Sequence, residues 1–255
     1  MALFTDGPIS AAKDLQEYES SVLSDAQAEG INVAAKVALA QQELGSELIV
    51  FLVRRARFRD DYPNVRNARG TTDVVVTDTL RQWHIHKTLA MVYRDAYNNQ
   101  LNDRYKGKWT QYEQLEEASA RMCFQLGVGV VADPVVKAPT PALASIPGSG
   151  PAGTYYVAAS WVNVAGQEGV PSDTTKLSNS AGQVLTVALA APPQNAVGWN
   201  VYVGVSPTAL AIQNDTPLRI DSSWVMSGGL IPGAVPTMGQ TPDWFIVDHH
   251  VIERG

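Results

Sequence analysis

The chain has 255 residues, 45% of them apolar, and a formal net charge of −6, which is enough apolar material for the cores of two ordinary domains. The mildly acidic balance excludes a general nucleic-acid binder, which carries a clustered basic excess. One cysteine, Cys123, excludes an intramolecular disulfide; between Met122 and Phe124, with no basic cluster nearby, it reads as a small buried apolar residue of a helix.

The opening MALFTDGPIS lacks the basic and apolar regions of a signal peptide, and no run of about 18 uncharged apolar residues occurs, so a soluble cytoplasmic product without a membrane span is expected. Ile9 to Gly30 reads as one helix, with Ser10 as N-cap and Leu15, Tyr18, Val22, Leu23 and Ala26 at helical spacing. A second helix opens near Asn32 and places Val33, Val37, Leu39, Ala40 and Leu44 on a broad stripe. Gly45 and Ser46 interrupt it, and the apolar run at 47–53 is either its extension or a separate helix.

From Arg54 the helical signal fades into a basic segment with Arg54, Arg55, Arg57 and Arg59, then Arg66 and Arg69. These arginines read either as an exposed helix end that favours the C-terminal dipole or as a contact to DNA or an acidic partner. Thr77 or Asp78 caps the strongest helix, in which Leu80, Trp83, Leu89, Val92, Tyr93, Ala96 and Tyr97 share a face. After a break over 98–103, Trp109 to Leu126 forms another, with Tyr112, Leu115, Ala118, Met122 and Leu126 expected inward and Glu113, Glu116 and Glu117 outward. Residues 1–130 thus predict a small bundle of about four helices.

Beyond residue 130 the character changes. Residues 1–130 hold 15 Lys/Arg and 17 Asp/Glu, against 4 and 8 in the rest, and the Pro-, Gly- and Ala-rich stretch at 127–153 reads as an extended linker, assigned to 131–153. The hydrophobic period then drops from 3.6 to 2. Strands are expected at 154–163, 171–178, 183–189, 198–204 and 218–224, which over 154–239 is the spacing of an antiparallel immunoglobulin-like β-sandwich. The tail, 240–255, carries Trp244, Phe245, Ile246 and Val247 as a detached strand expected to pair with a neighbouring subunit. The fold class is therefore a helical bundle followed by a β-sandwich.

No constellation for chemistry emerges. His84 and His86 lie about 200° apart around a helix and do not converge on a metal; His249 and His250 read as a solvated tail. Neither a Gly-x-Ser-x-Gly elbow nor a Cys with a base is present, and Gly127-Val-Gly129 lacks the rest of a phosphate loop. Trp161, Trp199 and Trp224 fall on strands, where sandwich packing explains them more simply than a sugar-binding platform. No catalytic, cofactor or metal residue is assigned, and the chain is expected not to be an enzyme.

The first half resembles the head-to-tail connector (adaptor) proteins of tailed bacteriophages. The likeness lies in Leu80-Arg-Gln-Trp-His84, Val92-Tyr-Arg-Asp-Ala-Tyr-Asn-Asn-Gln-Leu-Asn-Asp-Arg-Tyr105 and Gly107-Lys-Trp109, with support from Ala38-Leu-Ala-Gln-Gln-Glu-Leu44. The second half resembles the fibronectin- or immunoglobulin-like modules appended to phage structural proteins, through Gly153-Thr-Tyr-Tyr-Val157, Gly166-Gln-Glu-Gly-Val-Pro-Ser172 and Gly198-Trp-Asn-Val-Tyr202. The resemblance implies a structural virion protein at the neck: a homo-oligomeric ring, usually dodecameric, between portal and tail-completion proteins, with packaged DNA passing through it and touched non-specifically. It implies no catalytic residue. The alternative is a glycan-binding or decoration module on the phage surface.

Overall fold

The computed structural model describes residues 1–56, 70–100, 103–247 and 251–253. Among these, helices fill the N-terminal half and antiparallel sheets follow, so the chain is mixed α and β. Two compact units result. One holds Gly7–Ala132 with Pro242–Gly255, the other Met1–Asp6 with Asp133–Thr241. Each end of the chain thus belongs to the unit built by the opposite half, a division that differs from the contiguous domains and free tail expected above.

In the helical unit, the first expected helix is two: α1 (Ala12–Tyr18) and α2 (Val22–Ala28). The chain breaks at Glu19, which is extended, and the Ser21 hydroxyl at the break lies 2.8 Å from both the Glu19 and the Asp25 carboxylates. Ser10 is not the cap. Ala11 occupies that position and its N–H is bound by Asp14 at 2.8 Å, while buried Ser10 bonds to His84.

Helix α3 (Val33–Ala56) starts under an Asn32 side-chain cap to the Ala35 N–H, 3.0 Å away, and runs unbroken through Gly45, which is buried. Helix α4 (Asp78–Gln100) follows a Thr77 cap to the Leu80 N–H at 3.4 Å and is the centre of the unit, with residues 83–93 all buried. Helix α5 (Asp103–Leu126) begins six residues before the expected Trp109.

Both α3 and α5 run antiparallel to α4 and therefore parallel to each other. Contacts with α4 fix this: Lys36 pairs with Asp95 and Glu47 with Lys87 on one side; Tyr112 meets Tyr93, Ser119 meets His86 and Phe124 meets Trp83 on the other. The inward face of α5 is Tyr105, Tyr112, Ser119 and Cys123. Of the residues expected inward, Leu115 is half-buried, while Ala118, Met122 and Leu126 are exposed.

The β unit holds two antiparallel sheets over one shared core. The first has the order β4 (Thr175–Asn179), β3 (Gly153–Asn163), β6 (Ala196–Gly204) and β7 (Ala211–Ile212), with β8 (Leu218–Arg219) also on β6; the second has β2 (Ala142–Pro147), β5 (Gln183–Ala188) and β9 (Trp224–Val225). Alternate residues of β3, namely Tyr155, Val157, Ala159 and Trp161, face this core with Trp199 and Val201 of β6 and Leu185 and Val187 of β5. Truncating a buried tryptophan such as Trp161 to Ala costs about 3–5 kcal/mol.

Two elements differ from expectation. The linker contains β2, which pairs with β5 from Ala142↔Ala188 to Pro147↔Gln183; its small Ala and Ser residues hide the alternation. The single strand expected at 218–224 is two short ones, β8 in the first sheet and β9 in the second, because the chain turns between them at Arg219–Ser222, closed by a 3.0 Å backbone bond.

Candidate functional site

The stretch that carries the adaptor resemblance is the α4–α5 hairpin. Tyr93 stacks on Tyr112 with centroids 5.6 Å apart and planes 9° apart, and Tyr97 stacks on Trp109 at 5.6 Å. Beside them Lys108 reaches Asp25 at 3.2 Å, Glu19 at 3.2 Å, the Ser21 hydroxyl at 2.8 Å and the Tyr93 hydroxyl at 3.3 Å. Burial alone would raise the Asp25 pKa, but hydrogen bonds from Ser21, Lys108 and Tyr93 outweigh it and hold the carboxyl below its ordinary range. The network locks α2 onto the hairpin.

A second polar cluster joins three helices. Lys87, 8% exposed, lies 2.7 Å from Glu116 on α5 and 3.0 and 3.4 Å from Glu47 and Glu43 on α3. Burial disfavours the ammonium, yet hydrogen bonds to Glu116 and Glu47 hold its pKa above the ordinary lysine range. Glu116, expected on the wet face, is instead the inner partner of this cation.

The two α4 histidines point to different neighbours, as their spacing predicts. His84 contacts the Val37 carbonyl at 3.0 Å through Nε2 and Ser10 Oγ at 2.8 Å through Nδ1; since a carbonyl only accepts, the proton sits on Nε2 and Ser10 donates. His86 shares a 2.7 Å bond with Ser119. Burial lowers the pKa of both. Cys123 is buried and free, its thiol pushed up to about 11 by burial, the opposite of a reactive cysteine. Among the described residues no group of three or more metal-ligating side chains converges, and no helix is long and apolar enough to cross a membrane.

The basic segment is only partly in view. Arg54 is exposed near the end of α3. The side chain of Arg55 lies outside the described residues, as do Arg57, Arg59, Arg66, Arg69, His249 and His250.

The tail is placed. Within the helical unit β10 (Trp244–Ile246) lies between β1 (Val128–Val130) and β11 (Val251–Glu253), paired Val128↔Ile246, Gly129↔Phe245 and Val130↔Trp244 on one side and Ile246↔Val251 on the other. Its partners are thus its own chain's, not a neighbour's as expected. Ile246 and Val247 are buried, while Trp244 and Phe245 are half-buried. Gly127 and Gly129 make the approach possible. A Cβ on Gly127, whose φ is +103°, would stand 2.8 Å from Val247, and one on Gly129 would stand 2.7 Å from Pro242. The two glycines therefore belong to the tail contact.

In the β unit, Trp161 and Trp199 are fully buried and Trp224 packs half-buried on the same core, so none forms an open stacking platform. A cavity of about 330 Å³ is lined by residues including Asp6, Lys137, Thr140 and Asp173. Asp173 holds the Lys137 ammonium at 2.6 Å, and Asp6 accepts the Leu3 and Lys137 backbone N–H groups at 2.7 Å each. No family model matches the chain, and no curated protein matches it.

Proposed function

We propose that the chain is a structural virion protein, the head-to-tail adaptor of a tailed phage, forming a ring between portal and tail in the neck of the particle. The observation that supports it is the α4–α5 hairpin: Tyr93 and Tyr97 of the distinctive stretch, with Tyr112 and Trp109, provide its aromatic packing, and the charges around it are paired with one another. On this reading the β unit is an immunoglobulin- or fibronectin-like domain. Packaged DNA passes through the ring, with the arginines from Arg54 onward as candidate contacts, and the partners are the portal and the tail-completion proteins.

The test has two parts. Light scattering after size exclusion measures the copy number of the purified protein alone and with a portal ring, and particles assembled without the protein are scored for tail joining. A stable ring that binds the portal, with tailless heads in its absence, is the expected result. Protein that stays monomeric with portal present, together with normal tail joining in its absence, would sink the reading.

A further inference from the structure

Phe51 on α3 and Phe124 on α5 stack with centroids 4.5 Å apart, at a level where the two helices run in the same direction. Two residues along a helix turn a side chain by about 200°, so the residues two before and two after each phenylalanine point away from this contact. On α3 these are Ile49 and Val53; on α5 they are Met122 and Leu126. All four are apolar, and they are 47%, 57%, 48% and 59% exposed. The helical unit therefore carries two apolar patches that face in opposite directions at one height.

Single exposed apolar residues are ordinary. The run Leu48–Val53, however, is apolar on every side, the pattern of a helix covered all round, and among the described residues Leu48, Phe51 and Leu52 are buried while Ile49, Val50 and Val53 are exposed. The acidic groups between the two helices, Glu47 and Glu116, are spent on Lys87, and both patches are apolar at their centres. What fits either patch is an apolar helix face at matching height, which the chain carries on its other side.

We propose that the Ile49 and Val53 face of one copy docks on the Met122 and Leu126 face of a second copy. Because the contact joins two different surfaces, it repeats from copy to copy instead of closing on itself, as a ring requires. Closure into a ring rests on the function proposed above; the pairwise contact does not. Four side chains form the dry centre of such an interface, and with about 800 Å² per partner typical of a stable one, Gln42, Ser46 and Gln125 fall at its polar rim.

The test mixes two full-length variants, Val53→Cys and Leu126→Cys, under mild oxidation, with wild type and its buried Cys123 as background. The mixture is expected to give a disulfide-linked dimer at least tenfold above wild type, each variant alone none, and the double variant a ladder of linked copies. Val53→Cys linking to itself as well as the mixture does would mean a two-fold contact and overturn the proposal. So would a mixture that links no more than wild type, whether or not rings are seen. As a second measure, Val53→Asp and Leu126→Asp, both at exposed sites and checked for fold by circular dichroism, should each weaken association at least tenfold in sedimentation; unchanged association overturns the contact. Rings that bind portal without the link leave the adaptor reading standing, while a link in protein that ignores portal leaves only the contact.

Discussion

The buried Lys87 ammonium lies 2.7 Å from Glu116 and, through Glu47 at 3.0 Å, ties α3, α4 and α5 together. Replacing Lys87 with Met leaves three carboxylates without their cation, and because Glu116 alone of them is well sheltered, 23% exposed, this should cost about 1–3 kcal/mol in urea unfolding. Glu43→Gln, at the most distant and 46% exposed partner, should cost under about 1 kcal/mol. Equal losses from both would mean that the cluster acts as a surface network.

Acid should weaken the helical unit in two stages. Burial lowers the pKa of His84 and His86 below 6.5 in the folded chain, so the unfolded chain takes up protons first, and stability falls as pH drops below about 6.5 toward the folded values. Asp25 and Glu19 are also lowered, because hydrogen bonds from Ser21 and Lys108 outweigh the effect of burial. Their contribution is present above the ordinary carboxylate pKa and is lost as pH falls through their folded values. His84→Gln should flatten the first stage of a melting-temperature profile between pH 7 and 5 and spare the second. An unchanged first stage would acquit His84.

Much of this helical core is legible in the sequence, because the apolar spacing from Leu80 to Ala96 has one meaning for a central helix. The outer helix α5 is not. Its periodic residues Ala118, Met122 and Leu126 predict an inner face, yet the inner face includes Ser119, buried only because His86 meets its hydroxyl. Periodicity reports which residues avoid water, not what covers them, and a polar residue enters a core through a partner that lies elsewhere in the chain. The same limit hides Ser10 behind His84 and Glu116 behind Lys87. It hides the tail as well: the glycines at 127 and 129 look like linker composition until Val247 and Pro242 are seen against them.

Those contacts make the tail part of the fold of the helical unit. With Ile246 and Val247 buried in the helical unit, deleting 242–255 should lower its melting temperature before it affects association. Ile246→Ala should cost about 2–5 kcal/mol, and Gly127→Ala about 1–3 kcal/mol, since the added Cβ both meets Val247 and strains a φ of +103°. Chemical denaturation of the two point variants checks this; wild-type stability in both would detach the tail from the fold.

The N-terminal residues should matter to the β unit in the converse way. Asp6 turns the first residues onto Lys137 by accepting two backbone N–H groups at 2.7 Å, and Leu3 and Phe4 are buried. Asp6→Ala leaves the Lys137 N–H without its acceptor, at a cost of about 1–3 kcal/mol. Because Met1–Asp6 belongs to the same unit as Asp133–Thr241, the loss should be local. Hydrogen exchange followed by mass spectrometry should show faster exchange in peptides around 135–140 and 170–173, where the Ala138 N–H bonds to the Val170 carbonyl at 3.1 Å, while α4 keeps its wild-type protection. Faster exchange confined to α1 and α4 would assign the first six residues to the helical unit instead.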